Sequence, residues 1–410
     1  MKSTFYSYLL VYSVFTLAWG EEFQVNTRIS GAQANADIAM DARGNFVVVW
    51  NSYNQDGHSN GIFAQRFDPN CIPVGEEFQI NTTTDGNQKE PSVAMNAVGN
   101  FVVAWQGPGL DREDIFAQQF DPNGLHVGDE LLVNSYTESR QRFPRIATND
   151  TGVFAVVWES DDILTDGVTT ICSQLFDELG FAIGPEFIVN EDMSNCADPD
   201  IAMDESGGFI VVWMQGRYMK YSIMAKLYNP EGTPQTSTLQ INTTDVRSVT
   251  KPSVAMNQIG QFVITWDNHP DAADLDDVQA RIYEPDGTPI GEEFRVNTSL
   301  TGKQYEPKIA VNSWMEFVIV WNSEVDPDSN IRDIFGQRYD GLGQPIGEEF
   351  LVNTYTNGDQ RDPAVAIRED GNFVTVWQSD DQDGSGWGIF GRMEQTVSTE
   401  DSNDNGIVDF

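Results

Sequence analysis

The sequence has few of the residues on which many catalytic and metal sites depend. Only three cysteines and three histidines occur among 410 residues. The spacing of Cys71, Cys172 and Cys196 matches no metal motif, and we expect thiols at these positions rather than a disulfide scaffold. No phosphate-loop or H-E-x-x-H motif is present. The sequence therefore predicts no catalytic residue.

Positive charge is also scarce. The chain has 23 Lys and Arg against 63 Asp and Glu, a net charge of −40. This balance disfavours nucleic acid and anionic membranes as partners, because both are bound mainly through Lys and Arg. Hydrophobic residues make up 40% and aromatic residues 11% of the chain, which is enough for a large core. Global disorder is therefore excluded.

Long hydrophobic runs are confined to the N terminus. Lys2 precedes an apolar run at residues 5–19, and Ala18 and Gly20 form a small-residue cleavage pattern. We interpret residues 1–20 as a secretory signal peptide. The run is shorter than the roughly twenty residues of a spanning helix, which argues against the alternative of an uncleaved anchor. The sequence thus predicts a secreted, extracellular protein with no membrane span after cleavage. For a host that glycosylates such proteins, sequons stand at Asn81, Asn149, Asn242 and Asn297.

A tandem repeat fills the rest of the chain. Its most regular marker is a tryptophan that recurs every 53–56 residues, at Trp50, Trp105, Trp158, Trp213, Trp266, Trp321 and Trp377. A phenylalanine stands four residues before each of them, at Phe46, Phe101, Phe154, Phe209, Phe262, Phe317 and Phe373. Six copies also have a proline fourteen residues before the tryptophan, at Pro91, Pro144, Pro199, Pro252, Pro307 and Pro363. The chain therefore contains seven copies of one unit.

Each unit is predicted to form four short strands. The strand with Phe and Trp is apolar on both faces, so it must lie between two layers. Stacked four-stranded sheets provide such layers, and closing them into a ring protects their edges. We therefore predict an all-β fold for residues 21–395, a seven-bladed β-propeller of four-stranded antiparallel blades. The repeat begins with a lone fourth strand at residues 22–26, which should complete the last blade and close the ring.

The unit resembles a tandem repeat of large secreted bacterial proteins, many of them marine. The resemblance rests on V-N-T, P-x-V-A-M and G-x-F-V-V-W, and then on D-G before I-F-A-Q-R-F-D, over residues 22–395. It implies an extracellular β-repeat protein. It implies no activity, and no catalytic residue follows from it.

The loops between second and third strands differ most between copies, as recognition loops do. In the fourth unit this loop has no acid, and it combines cations with tyrosines that could stack on a sugar or anchor an acidic ligand. The candidate ligand-binding residues are Arg217, Tyr218, Lys220 and Tyr221. The alternative is that these side chains serve only packing or local charge balance.

Calcium is the one cofactor that the sequence suggests. Several loops carry closely spaced acids, among them Glu159, Asp267 and the cluster of Asp380, Asp381 and Asp383. Carboxylates are the ligands that calcium prefers, although such loops are often only solvated. The acidic tail at 396–410 resembles the start of a dockerin calcium loop, but it ends before position 12. Its candidate ligands are Asp401, Asn403, Asn405 and Asp409.

Two functions remain open. The first is a secreted, monomeric, non-catalytic binding or adhesion module for an extracellular glycan or protein, with calcium as its candidate cofactor. The alternative is a polysaccharide-active enzyme that uses acidic residues around the central channel. A pocket whose carboxyl groups include one of raised pKa would favour the enzyme, and a flat face would exclude it. A purely structural role in a surface layer is a third option. From the sequence we prefer the binding module.

Overall fold

A computed structural model describes residues 20–109, 112–161, 163, 167–191, 194–217, 220–243, 248–269, 276–326 and 331–395. Over these ranges the chain forms 28 strands. None of the described residues belongs to a helix of the length and apolarity needed to cross a membrane. The signal peptide and the acidic tail predicted from the sequence lie outside the described residues, except Gly20.

The strands form seven antiparallel four-stranded sheets, which follow one another around a central channel as blades 1 to 7. The first strands, next to the channel, are Gln33–Met40, Lys89–Met95, Gln141–Thr148, Asn195–Met203, Ser248–Met256, Gln304–Val311 and Gln360–Ile367. The second strands are Phe46–Tyr53, Phe101–Pro108, Phe154–Asp161, Phe209–Arg217, Phe262–His269, Phe317–Asp326 and Phe373–Asp380. The third strands are Asn60–Phe67, Glu113–Phe120, Thr169–Phe176, Lys220–Tyr228, Asp277–Tyr283, Ile331–Tyr339 and Trp387–Glu394. The fourth, outermost strands are Phe78–Gln79, His126–Leu132, Ala182–Ile188, Leu239–Gln240, Pro289–Arg295, Pro345–Leu351 and, in blade 7, Glu22–Gln24. The predicted seven-bladed propeller is confirmed.

The predicted closure of the ring is confirmed too. The strand Glu22–Gln24 pairs antiparallel with the third strand of blade 7, and Phe23 lies opposite Gly391. Because Gly391 has no side chain, the ring of Phe23 can settle directly on its backbone. A Cβ atom at Gly391 would stand 2.8 Å from the tip of that ring.

The core lies between the blades, as the apolar second strand requires. In blade 1, Phe46, Val48 and Trp50 pack toward blade 7, whereas Val47 and Val49 pack toward blade 2. All seven repeat tryptophans are fully buried. Successive side chains of a strand point to opposite faces, so one strand serves two cores.

A polar clamp joins each blade to the next. In six of the seven junctions a glutamate in or directly before one outermost strand accepts a hydrogen bond from the backbone N–H of a Thr or Ser in the preceding blade. This Thr or Ser directly follows the asparagine of the V-N-T motif, which we call the repeat asparagine. Its seven copies are Asn26, Asn81, Asn134, Asn190, Asn242, Asn297 and Asn353. Glu22 makes this bond to Thr354 and so joins blade 7 to blade 6. Between blades 3 and 4 the pair is replaced by Glu191 and Lys226, whose charged groups are 2.5 Å apart.

The side chain of the repeat asparagine has a structural role in the same region. In every blade its Oδ1 accepts the backbone N–H of a third-strand residue, at 2.7–2.9 Å. The four sequon asparagines are all at most 7% exposed: Asn81, Asn149, Asn242 and Asn297. Their side chains are therefore inaccessible to glycosylation in the folded protein. All three cysteines are described and buried, and none forms a disulfide, as expected.

Candidate functional site

The first strands of all seven blades line a cavity of about 410 Å³ in the channel. In each blade the pairing of first and second strands slips at a bulge just before or at the repeat proline position. The residue before that position has φ between 50° and 57° in every blade. We call these seven residues the bulge ring: Asn35, Glu90, Phe143, Asp198, Lys251, Glu306 and Asp362.

The bulge ring is a strained feature of the backbone. A residue other than glycine in the left-handed region costs about 1–3 kcal/mol, and such strain clusters at binding and catalytic sites. The bulge also interrupts the strand ladder, which re-aims the side chain of its extra residue. Because it falls near the start of each first strand, the ring lies toward the channel mouth on the face of the variable loops. Seven different repeats thus contribute one side chain each to one cavity.

A hydrogen-bonded pair of carboxyl groups is the chemical centre of the ring. Glu306 and Asp362 come from blades 6 and 7, and their side chains share a hydrogen bond. Burial and then the charge of Asp362 raise the pKa of Glu306 to about 7, against a smaller lowering by Lys251. Two neighbouring carboxyl groups disfavour double ionisation, and a raised pKa on Glu306 is the result expected of such a pair.

Amide side chains hold this pair in place. Asn322 donates from Nδ2 to Glu306 Oε2 at 2.8 Å, and Gln378 donates from Nε2 to Asp362. Elsewhere in the ring Asp198 lies 2.9 Å from the ammonium of Lys251, an ion pair within the same cavity. Burial also raises the pKa of Glu90. The ring therefore offers a proton donor, further carboxyl groups and one cation around one space.

In five of the seven blades the residue after the repeat tryptophan accepts from or donates to a residue of the bulge ring. Glu159 Oε1 accepts the backbone N–H of Asp198 at 2.9 Å, and Asp267 Oδ2 accepts that of Glu306 at 3.3 Å. Gln106 does the same for Phe143 at 3.2 Å. Burial raises the pKa of Glu159 to about 7 and that of Asp267 to about 6.

This placement corrects the sequence analysis for two acids. Glu159 and Asp267 were predicted in solvated acidic loops, but both lie in second strands with 5% and 2% of their surface exposed. The reason is that the apolar strand continues past its tryptophan, so the next side chain points toward the channel wall rather than into solvent.

One step deeper, four charged residues face the channel. They alternate in sign around it as Asp37, Arg145, Asp200 and Lys308. Asp37 and Asp200 each accept a backbone N–H of the next blade at 2.9 Å, from Val93 and Val254. Burial raises the pKa of Asp37 and lowers that of Lys308. These residues brace the first strands against one another and close the cavity with balanced charge.

The predicted ligand-binding loop lies apart from this cavity. Arg217 and Lys220 face each other at the end of a hairpin in blade 4, and Tyr221 pairs with Gly216. Tyr218 lies outside the described residues, as does the side chain of Arg217. Of the described side chains in this loop, neither Lys220 nor Tyr221 lines the cavity. Their role in recognition stays a prediction.

The predicted metal ligands are only partly described. Asp380 ends a second strand, Asp381 accepts the backbone N–H of Gly386 at 3.4 Å, and Asp383 accepts that of Ser385 at 2.9 Å. In the described part of the chain, no three His, Cys, Asp or Glu side chains are grouped to hold a metal ion. The tail residues that complete the prediction lie outside the described residues, at Asp401, Asn403, Asn405 and Asp409. Calcium binding therefore stays a prediction.

The bulge ring escaped the sequence analysis, although a signal for it exists. The signal lies in the residues directly before the repeat proline position, which form one column when the seven units are aligned. That column holds five charged residues, one amide and one aromatic, all next to an otherwise regular inner strand. Charge at the innermost strand of a propeller can only face the channel or a blade interface.

Comparisons with known proteins agree on the fold. No family model and no curated protein matches the sequence. An ulvan lyase, a polysaccharide lyase, superposes with a TM-score of 0.55 at 10% identity, covering 92% of this chain and 94% of its own. A protein of unknown function from Dyadobacter fermentans gives 0.53 at 9% identity, with 91% and 97% covered. An α-L-arabinofuranosidase mutant from Fusarium graminearum, in complex with an iminosugar inhibitor, gives 0.52 at 10% identity, with 76% and 95% covered. At such identities the likeness concerns the fold alone.

Proposed function

We propose that this protein is a secreted glycan-cleaving enzyme whose active site is the bulge ring. The observation that carries the proposal is the placement of Glu306 beside Asp362 in a cavity of about 410 Å³, where burial and the charge of Asp362 raise the pKa of Glu306 to about 7. A general acid works best when its pKa lies near the operating pH. The structural neighbours named as an ulvan lyase and an arabinofuranosidase act on glycans, which supports the substrate class.

The proposed chemistry is hydrolysis of a glycosidic bond. Glu306 donates its proton to the leaving oxygen as the bond from that oxygen to the anomeric carbon breaks. A water molecule supplies a hydroxyl group to the anomeric carbon. The other proton of that water passes to a carboxylate of the bulge ring. Asp198 suits this second role, because it is paired with the ammonium of Lys251 within the same cavity. Asn322 and Gln378 position the acid pair by the amide hydrogen bonds described above.

The binding module predicted from the sequence is the alternative, in which the same cavity holds a glycan without cleaving it. Incubation of the purified protein with a panel of polysaccharides distinguishes the enzyme from the binding module. New reducing ends indicate hydrolysis, ultraviolet absorbance of an unsaturated product indicates elimination, and binding without product indicates a module. Repeating the assay with EDTA tests the predicted contribution of calcium.

The matched variants are Glu306→Gln and Glu348→Gln. Glu348 is an exposed acid on the outermost strand of the same blade, so it controls for loss of charge. We expect E306Q to lower the turnover number at least about a hundredfold, the usual range for loss of a general acid, and E348Q to leave it unchanged. The wild-type rate should fall as pH rises through about 7, since Glu306 then loses its proton. A wild type that releases no product, or an E306Q variant of normal activity, would contradict the proposal.

A further inference from the structure

Phe143 is the exception in the bulge ring. Of the seven ring residues, all of them described, six are charged or amide side chains and one is aromatic. Phe143 has φ of 51°, a conformation that is a clear outlier for a bulky residue. Its side chain is 36% exposed although it lines a largely polar cavity. An apolar ring held in strain and open to a cavity indicates a surface kept for a ligand.

The aromatic side chain of Phe143 is contacted from one side by a cation. The guanidinium of Arg142 lies 5.7 Å from its centroid, and Arg142 is fixed by an ion pair with Asp161 at 2.8 Å. The backbone N–H of Phe143 donates to Gln106. The side chain is therefore anchored while part of its surface faces the cavity.

The order of the blades places Phe143 across the channel from the acid pair. In a closed ring of seven, the point opposite blade 3 is the junction of blades 6 and 7. Glu306 and Asp362 stand on the two sides of that junction. A sugar ring that lies on Phe143 thus presents its far edge toward Glu306.

The charge of the cavity limits which sugars can enter. Six acids and three bases line it, so full ionisation gives 3 − 6 = −3, and a proton on the acid pair gives −2. The acids are Asp37, Glu90, Asp198, Asp200, Glu306 and Asp362, and the bases are Arg145, Lys251 and Lys308. Like charge disfavours uronate or sulfate groups in this space.

We propose that Phe143 is a stacking platform for one ring of an uncharged glycan, and that the channel discriminates against polyanionic glycans. This inference rests on the proposed function and names its substrate class. The apolar C–H face of a neutral sugar covers the exposed aromatic surface, and its hydroxyl groups meet the surrounding carboxyl groups. Phe143 is thus a positioning residue that acts through binding rather than proton transfer.

The test compares binding of the full secreted chain to neutral arabinan, xylan and galactan and to anionic polygalacturonate by affinity electrophoresis. Oligosaccharides of the best-bound polymer are then titrated calorimetrically into wild type, Phe143→Ala, Phe143→Tyr and the control Phe181→Ala. Phe181 is 67% exposed and directly precedes the outermost strand of blade 3, next to a tight turn. A comparable aromatic contact contributes about 0.5–1.5 kcal/mol, so we expect F143A to weaken binding about two- to twelvefold.

F143Y and F181A should bind as the wild type does, and all variants should share its thermal midpoint and its pH profile. In kinetics F143A should raise KM and leave kcat within about twofold. Unchanged binding by F143A, tighter binding of polygalacturonate than of every neutral polymer, or no binding of any neutral polymer would overturn the inference. Binding lost in F143A but without cleavage by the wild type would leave the platform standing and contradict only the enzyme.

Discussion

Phe23 is the side chain on which closure of the propeller depends most, and replacing it by alanine should weaken the whole ring. Its strand is only three residues long, so few backbone hydrogen bonds hold it. The side chain is 8% exposed, with its ring centroid 5.3 Å from that of Phe67 and 6.4 Å from that of Phe46. Removing about 150–200 Å² of buried apolar surface at about 25 cal/mol per Å² corresponds to about 4–5 kcal/mol. Buried Phe→Ala substitutions lose about 3–5 kcal/mol, so we expect a value in this range.

Urea unfolding followed by tryptophan fluorescence measures the effect, because Trp50 and Trp377 are buried in the blades on either side of the seam. The matched control is F181A, which removes the same side chain from an exposed position and should change the free energy of unfolding by less than about 0.5 kcal/mol. Equal midpoints for F23A and F181A would refute the packing of the first strand into blade 7.

Three further predictions concern stability. Glu159→Gln should stabilise the protein by up to about 3 kcal/mol at pH 8, where exposed Glu205→Gln should have no effect. The sign follows from the pKa of Glu159, which is raised from 4.5 to about 7 in the folded protein. The contribution of Glu159 to the free energy of unfolding is therefore fully present below pH 4.5 and is lost as pH rises through 7. Over that range the urea midpoint of the wild type should fall more than that of E159Q. Asn134→Ala should lower the free energy of unfolding, measured in urea, by about 2–4 kcal/mol. The substitution removes three hydrogen bonds and leaves a buried backbone N–H without its acceptor. A loss no greater than that of a surface variant would contradict this prediction. Glu130→Gln should lower the thermal midpoint only slightly, since its bonds to Thr82 are exposed, and a loss as large as that of N134A would show that the clamps matter more than their exposure suggests.

The architecture could be predicted because its causes are local and repeated. Phe46 and Trp50 lie on one face of a strand and Val47 and Val49 on the other, and this pattern alone requires a layer on each side. Seven copies and a displaced first strand then leave a closed ring as the simplest arrangement. The same repetition made the closing strand at Glu22–Gln24 visible in the sequence.

The candidate site could not be predicted in the same way, because it depends on backbone geometry and on closure. Glu306 and Asp362 are 56 residues apart and meet only when two blades stand side by side. A bulge with positive φ is needed to turn Glu306 and Asp362 toward the channel. No residue type in the sequence predicts such a bulge. Variation between copies occurs both in the loop with Arg217 and Lys220 and in the column of the bulge ring, so variation alone does not identify which of the two lines the channel.

The seam of blade 7 also imposes an order on biosynthesis. Gln24 pairs with Phe390, so the first strand made must wait until 366 further residues have been added before its partner exists. Until then blades 1 to 6 can stack, but the two ends of the growing arc expose apolar faces and an unpaired strand edge. A chain that ends anywhere before Glu394 therefore forms an open arc and not a smaller propeller. Both ends of that arc expose surfaces that favour association with other chains. For this chain, the hazard of aggregation ends only with the last strand.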